Sequence, residues 1–217
     1  METTGFIKMS DRSEATGIDK LRLEAYSNAP EFTLTEPDAI KWSSADDDNI
    51  VLTAYSSDQP TNPLATTSAR LLSSAESSEE IMECKWINDE WNHLFPALLL
   101  GKGATAKGSH NHGLHSVLRY YLIKAALKCN FKSLLGIVFE SAPRTRLMCK
   151  IGYQFIMVES FWYTDLKPNK ATLIGILQQE KFQYAAKMLH DEFETVINNY
   201  PLNETSLYQK MKVLSLI

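Results

Sequence analysis

The sequence predicts an α+β fold in which helices cover one mixed β-sheet, and two observations lead to this prediction. One is a strand–loop–helix–strand series in the middle of the chain, from Phe95 to about Phe155. The other is a pair of apolar, β-branched segments, Asn49–Tyr55 and Leu64–Leu72, separated by a turn-rich stretch. The short connection favours an antiparallel hairpin and the long helical connection favours a parallel pair, so both pairings are expected in the sheet.

The N-terminal half begins with a short strand predicted at Gly5–Met9, and a helical spacing of apolar residues follows up to Tyr26. Residues 28–48 contain two prolines and end in the acidic run Asp46–Asp48, so we expect a solvated loop there. After the hairpin, Glu79–Trp91 places apolar residues on one side, which favours a helix.

The central series consists of a strand, a loop and a helix. Pro96–Leu100 is apolar, and the loop Gly101–His115 contains glycines and three histidines. In Leu114–Cys129 the apolar residues are spaced for a helix with one buried face, namely Leu114, Val117, Leu118, Tyr121, Leu122 and Ala125. This order is typical of a site for a phosphate-bearing cofactor, because a helix start presents unpaired N–H groups and a positive dipole end.

A second apolar segment, Leu134–Phe139, lacks alternation and therefore predicts a central strand that is covered on both faces. Asn130 suits the position just after the preceding helix, Pro143 suits the first turn of the next, short helix, and Gly152 suits its end. The remaining predicted elements are strands at Tyr153–Tyr163 and Ala171–Leu177 and a long helix that ends at Pro201.

The composition is that of an ordinary globular chain. The 217 residues are 44% hydrophobic and 22% charged, which is compatible with a substantial core. The net charge of -4 argues against a general nucleic-acid binder. We expect neither a membrane span nor a secretory signal, because no sufficiently long apolar run occurs. Three cysteines without CxxC spacing favour a reducing compartment, so we expect a cytoplasmic protein.

Two short motifs resemble those of a known superfamily. His110–Ser116 (HNHGLHS) is similar to the Arg/Gln-x-x-Gly-x-Gly/Ala loop of the GNAT N-acyltransferases, and Arg146–Tyr153 (RLMCKIGY) resembles the end of that family's next helix. The predicted helix and strand lie between the two motifs, as they do in the family. The resemblance implies an α/β/α sandwich with a mainly antiparallel sheet. It also implies a single domain over residues 1–217, with 95–155 as the cofactor-binding core and 202–217 as a C-terminal tail.

The N-terminal half is similar to one branch of this superfamily. Leu21–Tyr26, the acidic loop, the hairpin and Arg70 at its end resemble the N-acyl amino acid synthases and acyl-homoserine-lactone synthases. That branch uses long acyl chains, often from acyl carrier protein, and tends to carry a Glu and an Arg on the strand before the cofactor loop. Here Leu98–Lys102 contains no carboxylate, and Lys102 at best replaces the arginine.

The resemblance implies acyl-CoA or acetyl-CoA as co-substrate, no metal, and a set of residues that hold the co-substrate. The pantetheine arm would pair with strand backbone, and the pyrophosphate would meet N–H groups of the loop and the helix start. The histidines would add donors, more strongly when protonated. The implied residues are Gly103, Ala104, Thr105, Ala106, His110, Asn111, His112, Gly113, Leu114, His115 and Ser116. A zinc site formed by the three histidines is an alternative interpretation.

The usual catalytic acid of the family is missing from this chain. The family often places a tyrosine four residues before the glycine that ends the short helix, and that position here is Met148. The candidate substitutes are Glu140, Ser141, Tyr153 and Glu159. For Arg70 we expect either the binding of an acceptor carboxylate or a structural salt bridge.

These features lead to two functions of different kinds. The first is an N-acyltransferase that moves an acyl group from acyl-CoA, or from acyl carrier protein, to a small-molecule amine or amino acid by direct attack on the thioester. The second is a non-catalytic GNAT-like domain that senses or holds acyl-CoA, which the missing tyrosine favours. A histidine-metal hydrolase is a third, weaker hypothesis. No motif specifies the acceptor, the acyl length or the oligomeric state.

Overall fold

A seven-stranded mixed sheet forms the centre of the protein in the computed structural model, which describes residues 4–85, 89–140, 142–158 and 166–214. The strands are β1 (Gly5–Met9), β2 (Phe32–Leu34), β3 (Ile50–Ser56), β4 (Gln59–Leu72), β5 (Ala97–Thr105), β6 (Ser133–Phe139), β7 (Gln154–Met157), β8 (Leu166–Pro168) and β9 (Thr172–Gln178). The helices are α1 (Ala15–Ser27), α2 (Ser44–Asp48), α3 (Ala75–Met82), α4 (Leu114–Lys128), α5 (Pro143–Lys150), α6 (Phe182–Asn199) and α7 (Glu204–Leu214).

The strand order in the sheet is β1-β3-β4-β5-β6-β9-β7, and β2 pairs separately with β8. Strands β5 and β6 are parallel and are joined by α4, whereas the other neighbours in the sheet are antiparallel. The predicted crossover, the β3–β4 hairpin and the mainly antiparallel sheet are therefore confirmed.

Successive residues of β6 point to opposite faces of the sheet and enter two different cores. Leu134 and Val138 pack in the larger core with residues of α4, α6 and α7. Leu135 packs in a smaller core with Met82 of α3. Helix α1 packs against β4 and β5. The sheet thus lies between two helical layers, which confirms the α/β/α sandwich.

The predicted helix ends in the central series are also confirmed. Asn130 follows α4 with a φ of 59°, and Gly152 follows α5 with a φ of 98°. Both residues adopt the left-handed conformation that commonly ends a helix. Helix α5 begins at Pro143, whose fixed φ suits a first turn.

Two other segments differ from the prediction. The helix expected over Glu79–Trp91 begins earlier, at Ala75, because the Ser74 side chain caps its start. It ends at Met82, where the following Glu83 takes a φ of 54°. The segment Tyr153–Tyr163 forms β7 only over Gln154–Met157, and its residues 159–163 lie outside the described residues.

The segment 202–217, predicted as a C-terminal tail, forms helix α7 over its described part. Leu207, Met211 and Leu214 of this helix are buried in the larger core. Lys124 of α4 forms an ion pair with Glu204 at 2.7 Å. The spacing of four and three residues is helical, and the helix is anchored by packing on α4. No helix among the described residues is long and apolar enough to cross a membrane.

Candidate functional site

Strands β5 and β6 separate along their length and open a cleft in the sheet. They pair over four residues, from Ala97–Leu100 to Ser133–Gly136. Beyond that point β5 continues to Thr105 beside β4, and β6 continues to Phe139 beside β9. The edge of β5 that faces β6 beyond the paired segment therefore has free backbone groups, which can bind an extended ligand as an added strand would.

A bulge in β5 accompanies this separation. Lys102 has a φ of 46°, and the register between β4 and β5 shifts between Thr66 and Ser68. Such a bulge bends a strand away from its neighbour. The resulting cleft has an empty volume of about 420 Å³, part of it open to solvent. It is lined by Leu100–Gly103, Leu135–Val138, Tyr26, His115, Arg119, Arg144, Met148 and Tyr153, among other residues.

The loop between β5 and α4 brings the first turn of α4 to this cleft. Asn111 and Gly113 have φ values of 64° and 77°, so the chain turns sharply before α4 begins at Leu114. A side chain at Gly113 would lie 2.5 Å from the ring of Phe193 in α6. The position therefore needs glycine both for its backbone conformation and for its packing. The N–H groups of Leu114–Ser116 lie in the first turn, where a helix has no carbonyl partners of its own.

The structure does not bring the three histidines of the loop to one point. His110 is exposed, and its Nε2 atom lies 3.0 Å from the carbonyl oxygen of Thr105. His112 is also exposed, whereas His115 lines the cleft. Within the described ranges, no three His, Cys, Asp or Glu side chains are grouped so that they could hold a metal ion.

His115 was expected to add a hydrogen-bond donor, more strongly when protonated, and its surroundings in the cleft favour the neutral form. Burial, and after it the nearby charges of Arg119 and Arg144, lower the pKa of His115 to about 3. Its Nε2 atom is buried without a hydrogen-bond partner, and a Cβ atom at Gly103 would come within 2.5 Å of it. The ring therefore packs over Gly103 as a neutral imidazole, and any bond it makes to a ligand is that of a neutral group.

Two arginines that the sequence analysis did not select also line the cleft. Arg119 of α4 is 6% exposed, and its guanidinium lies 5.5 Å from the centre of the Tyr153 ring. Arg144 belongs to the first turn of α5, and burial lowers its pKa. The Nε atoms of both residues are buried without a hydrogen-bond partner. Two positive charges thus line the cleft beside His115 and Tyr153.

Of Glu140 and Tyr153, the two candidate catalytic residues that the structure describes, Tyr153 lines the cleft. It is 6% exposed, and its hydroxyl is buried without a hydrogen-bond partner. Burial raises the pKa of Tyr153, although the positive charge of Arg119 acts in the opposite direction. Met148 is buried beside it in the cleft wall. Tyr26 of α1, which was not predicted as a site residue, lines the cleft from another side.

The other candidates lie elsewhere. Glu140 is exposed just after β6, and Arg70 is exposed on β4 opposite Leu99; neither lines the cleft. Ser141 and Glu159 lie outside the described residues.

The acidic run Asp46–Asp48 was predicted to lie in a solvated loop, but Asp46 is only 4% exposed. Its carboxylate pairs with Arg22 of α1 at 3.0 Å and with Lys102 in the bulge of β5 at 2.7 Å. Burial acts to raise the pKa of Asp46, but Arg22 and Lys102 outweigh it and lower the pKa. A carboxylate from α2 thus holds Lys102 beside the cleft, although β5 itself carries no carboxylate.

Several solved structures resemble this fold. The CoA-dependent acyl-homoserine lactone synthase BjaI, solved with MTA, aligns with a TM-score of 0.63 at 12% identity, covering 98% of this chain and 100% of its own. The same synthase with SAM and isopentyl-CoA gives a TM-score of 0.62. NAA60 from Arabidopsis thaliana, in complex with a bisubstrate analogue, gives 0.59 at 9% identity, covering 81% of this chain and 98% of its own.

The ribosomal-protein-S18-alanine N-acetyltransferase from Escherichia coli gives a TM-score of 0.54 at 12% identity, covering 80% of this chain and 93% of its own. No family model and no curated protein sequence matches the chain. At such low identity the likeness concerns the fold, and it confirms that this chain has the GNAT fold.

Proposed function

We propose that the protein is an N-acyltransferase that moves an acyl group from an acyl-CoA to an amine. The observation that carries this proposal is the cleft between β5 and β6, which combines a free strand edge, the first turn of α4 and the buried hydroxyl of Tyr153. The free edge suits the peptide-like pantetheine arm, and the helix start suits a pyrophosphate.

The residues proposed to hold the donor lie along β5 and the following loop. Backbone groups of Gly103–Ala106 would bind the pantetheine arm, although the N–H of Ala106 already donates to the carbonyl of Leu64 at 2.8 Å. The N–H groups of Asn111–Ser116 would bind the pyrophosphate. The carbonyl oxygen of the thioester would accept a hydrogen bond from the bulged part of β5, where preorganised N–H donors stabilise developing negative charge.

In the proposed reaction the amine nitrogen attacks the thioester carbonyl carbon, so a C–N bond forms and the C–S bond breaks. The Tyr153 hydroxyl gives its proton to the departing sulfur. Its raised pKa keeps this hydroxyl protonated at neutral pH, and the adjacent Arg119 stabilises the phenolate that the transfer leaves. The amine releases its own proton to solvent, and the phenolate is protonated again before the next turnover.

The comparison with BjaI bears on the class of the donor. BjaI was solved with isopentyl-CoA, which supports a CoA ester as donor for this chain. Acyl carrier protein as an alternative donor, and a small amine or amino acid as acceptor, remain part of the proposal. Cys84, Cys129 and Cys149 are free thiols, which fits a reducing compartment such as the cytoplasm.

Single-turnover assays with acetyl-, octanoyl- and palmitoyl-CoA against a panel of amines test the proposal, with released thiol and acylated amine measured together. We expect Tyr153→Phe to slow transfer by about 10²–10⁴-fold while CoA affinity stays within about twofold. Tyr184→Phe is the matched control, because Tyr184 is half exposed on α6 and lies away from the cleft. Equal rates for the two variants would remove Tyr153 from the mechanism.

A non-catalytic acyl-CoA sensor or scaffold is the second candidate function. The observation that favours it is Met148, a buried thioether where the resemblance places the family's tyrosine. A calorimetric titration separates the two candidates. Saturable binding of acyl-CoA, without acylation of any amine in the panel, would support the sensor and contradict the enzyme.

A further inference from the structure

Arg119 and Arg144 place two positive charges in the cleft, and no described carboxylate forms an ion pair with either of them. None of the ion pairs formed within residues 4–85, 89–140, 142–158 and 166–214 involves either arginine. Arg22 is fully buried and pairs with Asp46, whereas Arg119 is 6% exposed and Arg144 is partly buried. Among the described residues, a carboxylate of the protein thus neutralises Arg22, and none forms an ion pair with the other two arginines.

The groups around the pair do not neutralise it. His115 is a neutral imidazole, and Tyr26 and Tyr153 keep their protons because burial raises their pKa values. Glu31 is the carboxylate whose charge acts on Arg144, but it does so from a distance, without an ion pair. Two like charges that share one partly enclosed cleft repel each other and destabilise the free protein, so they are explained better by a ligand than by stability.

The position of the pair argues for a carboxylate rather than for the pyrophosphate of CoA. Arg119 lies five residues beyond Leu114, about 7.5 Å along α4 from the helix start that suits the pyrophosphate. The walls of the same cleft include Leu100, Leu135 and Met148. Apolar walls with a few charged groups suit a short carbon chain that ends in a charged group. A guanidinium fork matches the two oxygens of a carboxylate.

We propose that Arg119 and Arg144 bind the carboxylate of a reactant, so that one of the two substrates is a carboxylic acid. This inference rests on the proposed N-acyltransferase function for the identity of that reactant. The carboxylate can belong to the acyl group, as in a dicarboxylic acyl-CoA, or to an amino acid acceptor. Both sources present the same planar anion to the same two side chains.

The experiment compares ligand pairs that differ only in the carboxylate, using isothermal titration of the full chain. Succinyl-CoA and butyryl-CoA have the same four-carbon acyl chain, and only the first ends in a carboxylate. Alanine and alaninamide, titrated in the presence of CoA, form the acceptor pair. In the wild type we expect the carboxylate member of one pair to bind at least about tenfold more tightly.

The variants are Arg144→Gln and Arg119→Gln, with Arg146→Gln as the matched control. Arg146 lies on the same helix as Arg144 but is exposed. Each cleft variant should reduce the preference to less than about threefold, and the control should preserve it. If a glutamine variant does not fold, Arg144→Lys and Arg119→Lys replace it. They retain the charge without the fork and should lose most of the preference.

The outcomes separate the two proposals. A preference for succinyl-CoA identifies a dicarboxylic donor, and a preference for alanine identifies an amino acid acceptor. Absence of a preference in both pairs overturns the inference but leaves the acyltransferase proposal intact if both CoA esters bind. Equal loss of affinity for unacylated CoA and succinyl-CoA in Arg144→Gln also overturns it, because the arginines would then hold CoA phosphates. If neither CoA ester binds but alanine is still preferred in an arginine-dependent way, the acyl-CoA donor proposal is contradicted and the carboxylate inference stands.

Discussion

Replacement of Asp46 by asparagine should destabilise the protein strongly, because it removes the carboxylate that Arg22 requires. Arg22 and Asp46 have side-chain exposures of 0% and 2%, and their charged atoms lie 3.0 Å apart. Removing one member of such a buried pair typically costs about 3–5 kcal/mol. That is a large part of the total stability of an ordinary domain, which is about 5–15 kcal/mol.

Urea unfolding followed by circular dichroism measures the loss. With a slope of about 2–3 kcal/mol per molar urea, the midpoint of Asp46→Asn should fall by about 1–2.5 M. Asp47→Asn is the matched control, because the neighbouring Asp47 pairs with Arg12 at an exposed site where the side chains are 66% and 34% exposed. Such surface pairs contribute about 0–1 kcal/mol.

The pH dependence gives an independent check of the same carboxylate. Because the pKa of Asp46 is lowered from its ordinary value of 3.8, its contribution to stability is present above that pH. The contribution is lost as the pH falls through the lower, folded-state pKa. The free energy of unfolding of Asp46→Asn should therefore decrease less than that of the wild type as the pH falls through this range. If Asp46→Asn and Asp47→Asn lose the same small amount of stability, the buried ion pairs are not important for the fold.

Three further predictions concern the cofactor loop and the C-terminal helix. His115 is neutral in the folded protein with a pKa of about 3, so its protonation in the unfolded chain should reduce stability as the pH falls below 6.5. His115→Gln should make the urea midpoint depend less on pH between pH 7 and 4, and an unchanged dependence would contradict this. Gly113→Ala should lower the free energy of unfolding by at least about 1–2 kcal/mol for its φ of 77° alone, and by more for the contact with Phe193. Gly108→Ala is the control in urea unfolding, because a Cβ there meets nothing within 4 Å; equal losses in the two variants would contradict the packing argument. Ending the chain after Asn203 should prevent stable folding, since it removes three buried side chains that each stabilise the fold by about 1.5–3 kcal/mol. A cooperative melting transition of the shortened chain would show that α7 is dispensable.

The central crossover could be predicted because its sequence signals are local and agree with one another. The helix periodicity of Leu114–Cys129, the unbroken apolar run Leu134–Phe139 and the end signals at Asn130 and Gly152 all depend on neighbours within a few residues. The structure places the corresponding elements within one or two residues of these predictions at most of their ends. The resemblance to the GNAT family, and not the local pattern, implied that Met148 occupies the position of the family's tyrosine.

The charged residues of the site could not be predicted in this way. Arg119 lies in a helix of fifteen residues of which ten are buried, so a single apolar stripe underestimated how much of the helix is covered. The sequence does contain a signal for this buried charge, because Arg119 lies in a helix that is apolar on most of its faces. Asp46 is one of three consecutive aspartates, and it forms a capping box with Ser43. That local signal places it in the first turn of α2, but its pairing depends on Arg22 and Lys102, which are distant in the chain.

The sequence by itself determined the strand–loop–helix–strand order, the glycine turn before α4 and the presence of Tyr153 near the end of the series. These depend on backbone conformation and short-range periodicity, which neighbouring residues control. Only the tertiary structure decided that β5 and β6 separate, that Arg119, Arg144 and Tyr153 meet in the opening, and that Asp46 neutralises Arg22 and Lys102. The burial and pairing of a charge depend on residues that are distant in the chain, and their positions follow from the packing of the sheet between its two helical layers.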